Sequence, residues 1–375
     1  MACVSKALII GGGIAGLSAA IALSRVGVTC DVVELTGSPL GASLGVSGRA
    51  AEALDELGVY ERCYETSRPF SPDSTVASQH DAAGNLISAG PQRPQWPGAK
   101  IGLGVYRPDF LQVLADEAER LGASIRIGFT AKTIDEHANG AKVAFTNGEE
   151  GLYDLVVGAD GINSRTRDML FPDAMKPEYT GQLSIRWMAP GPFVEGEGWY
   201  LGPVGRLGFY YIPQGEVYVP AVIAMPELKR MTDEEVRELF TRLLDSYTAG
   251  PVVELRKRLT PDAKLIGRPF EWILLPEPWH KGRALLIGDA AHATSAHMGQ
   301  GGGMALEDSA VLGQCIAAAA SLPEAFDAFM ARRFERVRAV VETSVGLSRL
   351  EQAHAPPSEN VALLTRALSA LAQPY

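Results

Sequence analysis

Residues 7–16 read Ala7-Leu8-Ile9-Ile10-Gly11-Gly12-Gly13-Ile14-Ala15-Gly16. The apolar run 7–10 suits a buried parallel strand, and the glycines that follow have the spacing GxGxxG. Leu17 to Ser24 then reads as a helix rich in small residues, with Gly27 placed to end it. Thr29 to Leu35 (TCDVVEL) reads as a second strand whose Glu34 lies 23 residues after Gly11. Each part has a physical reason. Gly11 permits a tight turn, Gly13 admits a pyrophosphate to the backbone, and Gly16 lets helix and strand pack closely. The free N–H groups of the helix N-terminus suit phosphate oxygens. Glu34 can accept hydrogen bonds from a ribose diol. A glycine-rich packing turn would leave Glu34 unexplained.

The same strand-then-glycine grammar returns twice. Tyr153 to Ala159 (YDLVVGA) runs into Asp160-Gly161-Ile162-Asn163-Ser164-Arg165-Thr166-Arg167, and Arg283 to Ile287 (RALLI) runs into Gly288-Asp289-Ala290-Ala291-His292. Gly299-Gln300-Gly301-Gly302-Gly303 then opens a helix expected from Met304 to about Ala320. Successive N–H groups in such a turn can hold an anion. These turns account for part of the glycine excess, 40 of 375 residues against a usual share of about 7 %.

In this order and near these positions, the three motifs resemble the class A flavin-dependent monooxygenases, the p-hydroxybenzoate hydroxylase-like aromatic hydroxylases. The resemblance spans roughly residues 5 to 340. Two further stretches carry it: GASLGVSGRAAEALDELGV from Gly41 to Val59, and YRPDFLQVL from Tyr106 to Leu114. It implies an α/β fold: a Rossmann-like FAD-binding domain of the GR2 type, an inserted, mainly antiparallel β-sheet substrate domain, and C-terminal helices. The FAD domain is then discontinuous, formed by residues 1–70, 98–178 and 270–345. Residues 71–97 and 179–269 form the substrate domain, and 346–375 a helical tail.

The resemblance also implies roles. Gly11, Gly13, Ala15 and Gly16 would hold the pyrophosphate of a non-covalent FAD, and Glu34 with Leu35 the adenosine end. Arg107 would lie near the ribityl-phosphate part, Asp289 would bind the ribityl chain, and Asp160 would serve both FAD and the nicotinamide donor. Gly299, Gly301, Gly302 and Gly303 would border the isoalloxazine ring. The implied reaction uses NADH or NADPH and O2 to hydroxylate a small phenolic, hydroxybenzoate-like or N-heteroaromatic substrate through a flavin C4a-hydroperoxide. Three positions depart from the family pattern: Leu35 stands where Arg often follows the ribose acid, Gly48-Arg49 where Pro-Asn is common, and Ala296 where Pro is common. There is no second strand-associated GxGxxG, so the donor is expected to visit the FAD site.

Between the motifs, LSIRWMAP, GWYLGP, LGFYYIP and EVYVPAVIA suggest an antiparallel sheet across residues 179–224. Thr232-Asp233-Glu234-Glu235 fits a capping box opening a helix to about Tyr247. Pro323 to about His354 reads as a long charged helix. Within LSIRW, Ser184 and Arg186 share one face of the strand while Leu183, Ile185 and Trp187 share the other. An inward Arg186 could hold a carboxylate or phenolate, or could be a structural ion pair. Tyr210 and Tyr211 alternate faces, so at most one points at the substrate; Tyr211 is the candidate. His297 sits near the expected flavin–substrate junction. His292 is expected as a hydrogen-bonded residue rather than an acid–base group.

Composition sets the outer limits. A net charge of −10 and a pI near 5.2 argue against a nucleic-acid or anionic-membrane partner. The uncharged run from Ala7 to Leu23 is short of the ~20 residues a membrane span needs and is interrupted by glycines. Cys3, Cys30, Cys63 and Cys315 are scattered without a CxxC pair, so no zinc site is indicated and a reducing cytoplasm fits. A monomer or homodimer is expected. The halogenase pattern WxWxIP is absent; Trp187-Met188-Ala189-Pro190 does not match. An epoxidase, another flavin oxidoreductase, or a non-catalytic flavin-binding sensor are the alternatives on this fold.

Overall fold

The computed structural model describes residues 3–37, 43–71, 75–76, 78–192, 195–213 and 215–375; Gly41 and Ala42, quoted above, lie outside them. Strand Lys6–Ile10 is central to a six-stranded sheet in the order His280–Lys281, Ala284–Leu286, Leu155–Gly158, Lys6–Ile10, Thr29–Glu34, Ser124–Ile127. All neighbours are parallel except the short edge strand His280–Lys281. Three of the strands therefore end beside one another: Ile10 pairs with Gly158, which pairs with Leu286. Each continues into one of the three glycine motifs. Parallel register thus converges turns that are far apart in sequence.

Helix Ile14–Arg25 follows the first strand and is buried without a break from Ala15 to Leu23. Small residues make this possible. A Cβ on Gly313 of helix Gly301–Ala318 would come 3.0 Å from the Cβ of Ala22, so the two helices pack nearly backbone to backbone. Helix Gly301–Ala318 begins three residues earlier than its sequence suggests. Gly301, Gly302 and Gly303 form its first turn instead of preceding it.

The second large sheet has seven strands, in the order Leu265–Trp272, Glu178–Ala189, Val217–Ala224, Arg206–Tyr211, Gly198–Leu201, Gln79–His80, Leu86–Ser88. It is antiparallel except where Gly198–Leu201 meets Gln79–His80. One face carries Leu183, Ile185, Trp187, Leu207 and Phe209 into a core shared with helices Asp233–Asp245 and Gly250–Lys257. The capping box of Thr232 and Glu235 is formed in full. The other face looks toward the glycine turns.

The long helix spans Leu322–Gln352, begins at a Ser321 cap, and is followed by helix Pro357–Leu371. Its 31 residues reach about 46 Å. The residues after 345 share the larger core through Leu347, Leu364, Leu368 and Leu371. Among the described residues, no helix is long and apolar enough to cross a membrane.

Candidate active site

A cavity of about 920 Å³ lies between the glycine turns and the free face of the seven-stranded sheet. Gly13, Ala15, Arg107, Asp289, Gly299, Gly301 and Gly302 border it from one side, and Ser184, Arg186, Trp199, Arg206, Tyr210 and Tyr218 from the other.

The first glycine turn divides its labour. Gly11 has a φ of +113°, and a Cβ there would sit 2.3 Å from the Ala159 carbonyl oxygen. A Cβ on Gly16 would fall 1.8 Å from the Gly11 oxygen. Both are glycine for packing. A Cβ on Gly13 would meet nothing within 4 Å, and Gly13 caps helix Ile14–Arg25 without any side-chain bond. An open helix N-terminus beside clear space is what a diphosphate requires. Glu34 stands at its edge. Its Oε2 accepts from Gly12 N at 2.7 Å, and its Oε1 from Thr36 N at 2.8 Å. Leu35 beyond it is exposed.

Asp289 opens the short helix Asp289–His292 and shows its carboxylate to the cavity. Surrounding protein pushes its pKa up, and the charges of His292 and Arg107 pull against that. Arg107, at the start of helix Arg107–Arg120, has a buried Nε with no hydrogen-bond partner. Burial lowers its pKa, Asp289 raises it, and Arg186 lowers it. A partnerless buried donor beside a cavity-facing carboxylate fits the hydroxyls and phosphate of a bound flavin nucleotide.

The other expected cofactor residues differ in part. Asp160 turns its carboxylate inward: Oδ1 accepts from Ser164 Oγ at 2.5 Å, and Oδ2 from Thr166 N and Oγ1, both at 3.0 Å. It fixes the turn, and Ala159 and Gly161 border the cavity. Gly299 has a φ of +64°, and the helix after it has no side-chain cap at Gln300. Gly303 faces away. A Cβ there would lie 3.0 Å from the Cβ of Ala50, so its smallness serves packing against helix Arg49–Glu56.

On the sheet side, Ser184 and Arg186 point into the cavity as alternation predicts, and Ile185 and Trp187 into the core. Arg186 has no ion-pair partner among the described residues, unlike Arg68, which is bound to Glu197, and Arg206, which is bound to Glu351 at 2.9 Å. Both tyrosines border the cavity. Tyr210 lies opposite Tyr218 on the cavity face, while Tyr211 lies opposite buried Val217 and borders the cavity beside Arg68. Alternation with buried Leu207 and Phe209 sets Tyr210 on the cavity face.

His297 is committed to the wall. Its Nδ1 is 2.9 Å from Ser295 Oγ and its Nε2 is 3.3 Å from Glu351 Oε2. Burial lowers its pKa, and Glu351 partly restores it. Arg206, Glu351, Trp199 and Tyr218 were not singled out from sequence. His292 bonds Asp308 at 2.6 Å as part of a buried network. No group of three or more His, Cys, Asp or Glu side chains that could hold a metal occurs among the described residues.

Residues 5–344 match the family described as FAD binding domain. The chain belongs to this family, the class A flavin monooxygenases. Its cofactor is FAD. It is 30 % identical over 355 residues to an aurachin C monooxygenase/isomerase of Stigmatella aurantiaca, covering 92 % of this chain and 89 % of the relative. It is also 30 % identical to a 3-hydroxybenzoate 6-hydroxylase of Polaromonas naphthalenivorans (strain CJ2), over 92 % of this chain and 88 % of that one. The fold matches Klebsiella pneumoniae HpxO complexed with FAD and uric acid, with a TM-score of 0.82 and 24 % identity over 98 % of this chain and 96 % of that structure.

Proposed function

We propose that this flavin monooxygenase uses NADH or NADPH and O2 to hydroxylate a small aromatic substrate that carries an anionic oxygen group. The observation that carries the reading is Arg186, a guanidinium with no carboxylate partner among the described residues, on the sheet face across from the Gly299–Gly302 turn. A partnerless guanidinium in a partly desolvated cavity favours a carboxylate or phenolate held through two parallel hydrogen bonds. The named relatives, which include a hydroxybenzoate hydroxylase and urate hydroxylases, support an electron-rich ring.

When bound, FAD would supply the redox chemistry, hydride acceptance and oxygen activation. The protein's own work is placement. The open backbone of Gly13 and the side chains of Glu34, Arg107 and Asp289 would hold the cofactor. The N-terminus of helix Gly301–Ala318 offers fixed N–H dipoles to charge that develops on the ring. Arg186 and Ser184 orient the substrate, and the aromatic walls Trp199, Tyr210 and Tyr218 keep water away. None of Cys3, Cys30, Cys63 and Cys315 borders the cavity, which supports a non-covalent cofactor.

The test is donor oxidation by the yellow purified protein with hydroxybenzoates, hydroxypyridines and hydroxyquinolines. Donor oxidation accelerated by one of these, with a hydroxylated product, is expected. Fast oxidation indifferent to every aromatic would instead identify a simple reductase.

A further inference from the structure

Several of the charges around the cavity are cancelled, while Arg107 borders it on the side of the glycine turns. Arg49 pairs with Glu52, Arg68 with Glu197, and Arg336 with Glu307. The sheet face itself carries two guanidiniums, Arg186 and Arg206. They lie on strands Glu178–Ala189 and Arg206–Tyr211, on either side of strand Val217–Ala224. Two strand spacings and a two-residue stagger separate their backbone positions, about 12 Å. Register places Pro220 beside Arg186 and Val222 beside Arg206, so an apolar floor lies between two cations.

Among the described residues only one of these cations is neutralised, and the neutralising group comes from outside the sheet. Glu351 sits at the end of the long helix Leu322–Gln352. Its Oε2 is 2.9 Å from Arg206 Nε and 3.3 Å from His297 Nε2, and its Oε1 accepts from Gln182 Nε2 at 3.2 Å. Arg206 also stacks on Trp199, 4.1 Å from the ring centroid, which fixes the guanidinium in place. Burial keeps His297 toward its neutral form. The face thus presents one net positive charge, at Arg186.

We propose that Glu351 is a specificity-determining residue: by cancelling Arg206 it restricts the substrate site to aromatic monoanions and rejects ring dianions. The inference rests on the reading of the cavity as an aromatic-acid site. A dianion placed across the floor would set its second carboxylate against Arg206, where Glu351 already stands. Two carboxylates contending for one guanidinium leave one of them desolvated and unpaired. With Glu351 neutral, the same two arginines would form a matched pair of anchors. Glu351 acts through Arg206 and does not itself border the cavity.

The experiment is calorimetric titration of the FAD-loaded protein with matched acids of one and two carboxylates: benzoate against terephthalate, and 2-naphthoate against 2,6-naphthalenedicarboxylate. The wild type is expected to favour the monoacid of each pair. Glu351→Gln is expected to shift the ratio of dissociation constants toward the diacid by about 10-fold or more, as one charged hydrogen bond is gained. Glu351→Asp, and the double variant Arg206→Gln with Glu351→Gln, should retain the monoacid preference. These variants keep the test open should the single neutral variant not fold. A wild type that prefers diacids, a Glu351→Gln protein with an unchanged ratio, or a double variant that favours diacids would overturn the inference while leaving the aromatic-acid reading intact. A wild type that binds none of the acids at millimolar concentration would overturn both.

Discussion

His292 and Asp308 are joined by a 2.6 Å contact between Nε2 and Oδ2, in a setting where both side chains are almost wholly buried. The same Oδ2 accepts from Gly288 N at 2.9 Å, and Oδ1 accepts from Arg333 Nε at 2.8 Å. Asp308 therefore ties the turn that presents Asp289 to the helix behind it. Arg333 passes the tie on to Glu307, which Arg336 also holds.

Asp308→Asn should destabilise the folded protein by about 3 kcal/mol, because a buried cation loses one of its partners. Its neighbours hold the Asp308 carboxyl down to about 2 against burial, through the charges of His292 and Arg333. A depressed folded pKa contributes stability that is complete above the unfolded value near 4 and is lost as the pH falls from there toward 2. Urea midpoints measured across this range should decline in the wild type and be flatter in the variant. Equal midpoints for the two proteins at neutral pH would remove Asp308 from the framework.

Asp289→Ala should weaken FAD binding by about 10- to 100-fold, the worth of a hydrogen bond to a charged group. Quenching of flavin fluorescence on reconstitution reports the dissociation constant directly. An unchanged value would leave Asp289 as a cap for its short helix.

Gly13→Ala and Gly16→Ala should separate cofactor binding from folding. A methyl on Gly13 enters open space, so the apo-protein should melt normally and take up FAD poorly. A methyl on Gly16 meets the Gly11 carbonyl at 1.8 Å, so the strand–helix joint must shift and the fold itself should suffer. Identical melting losses for both would contradict this division.

Arg186→Ala should raise the substrate dissociation constant and divert donor oxidation toward H2O2, since a loosely held ring misses its attack geometry. FAD content should stay normal. Unchanged affinity together with an unchanged ratio of product to oxidised donor would send the search for the anchor to Arg206 and Tyr210.

Much of the cofactor side was legible because its causes are local. A strand, three glycines and a helix are neighbours in the chain, and their steric demands can be read from spacing alone. The capping box at Thr232 and Glu235 is local in the same sense. Gly303 misled because its partner, Ala50, is remote in sequence. Asp160 was assigned to the cofactor although Ser164 and Thr166, close by in the chain, already satisfy its carboxylate. The sheet wall of the cavity was least legible. Glu351 stands in a helix full of charges, where nothing in the sequence distinguishes it from a solvated glutamate, and Arg206 lies far from it along the chain.

Arg333 and Glu351 occupy one uninterrupted helix, eighteen residues apart. At 3.6 residues per turn that is about five full turns, so both project from the same side. One anchors the network behind the turn that presents Asp289, and the other meets the seven-stranded sheet. Inserting or deleting a single residue between them would swing Glu351 about 100° around the helix axis. The spacing is therefore quantised. Lineages descending from this protein can retune the far wall of the cavity by substitution at either end of the helix, but not by changing its length one residue at a time.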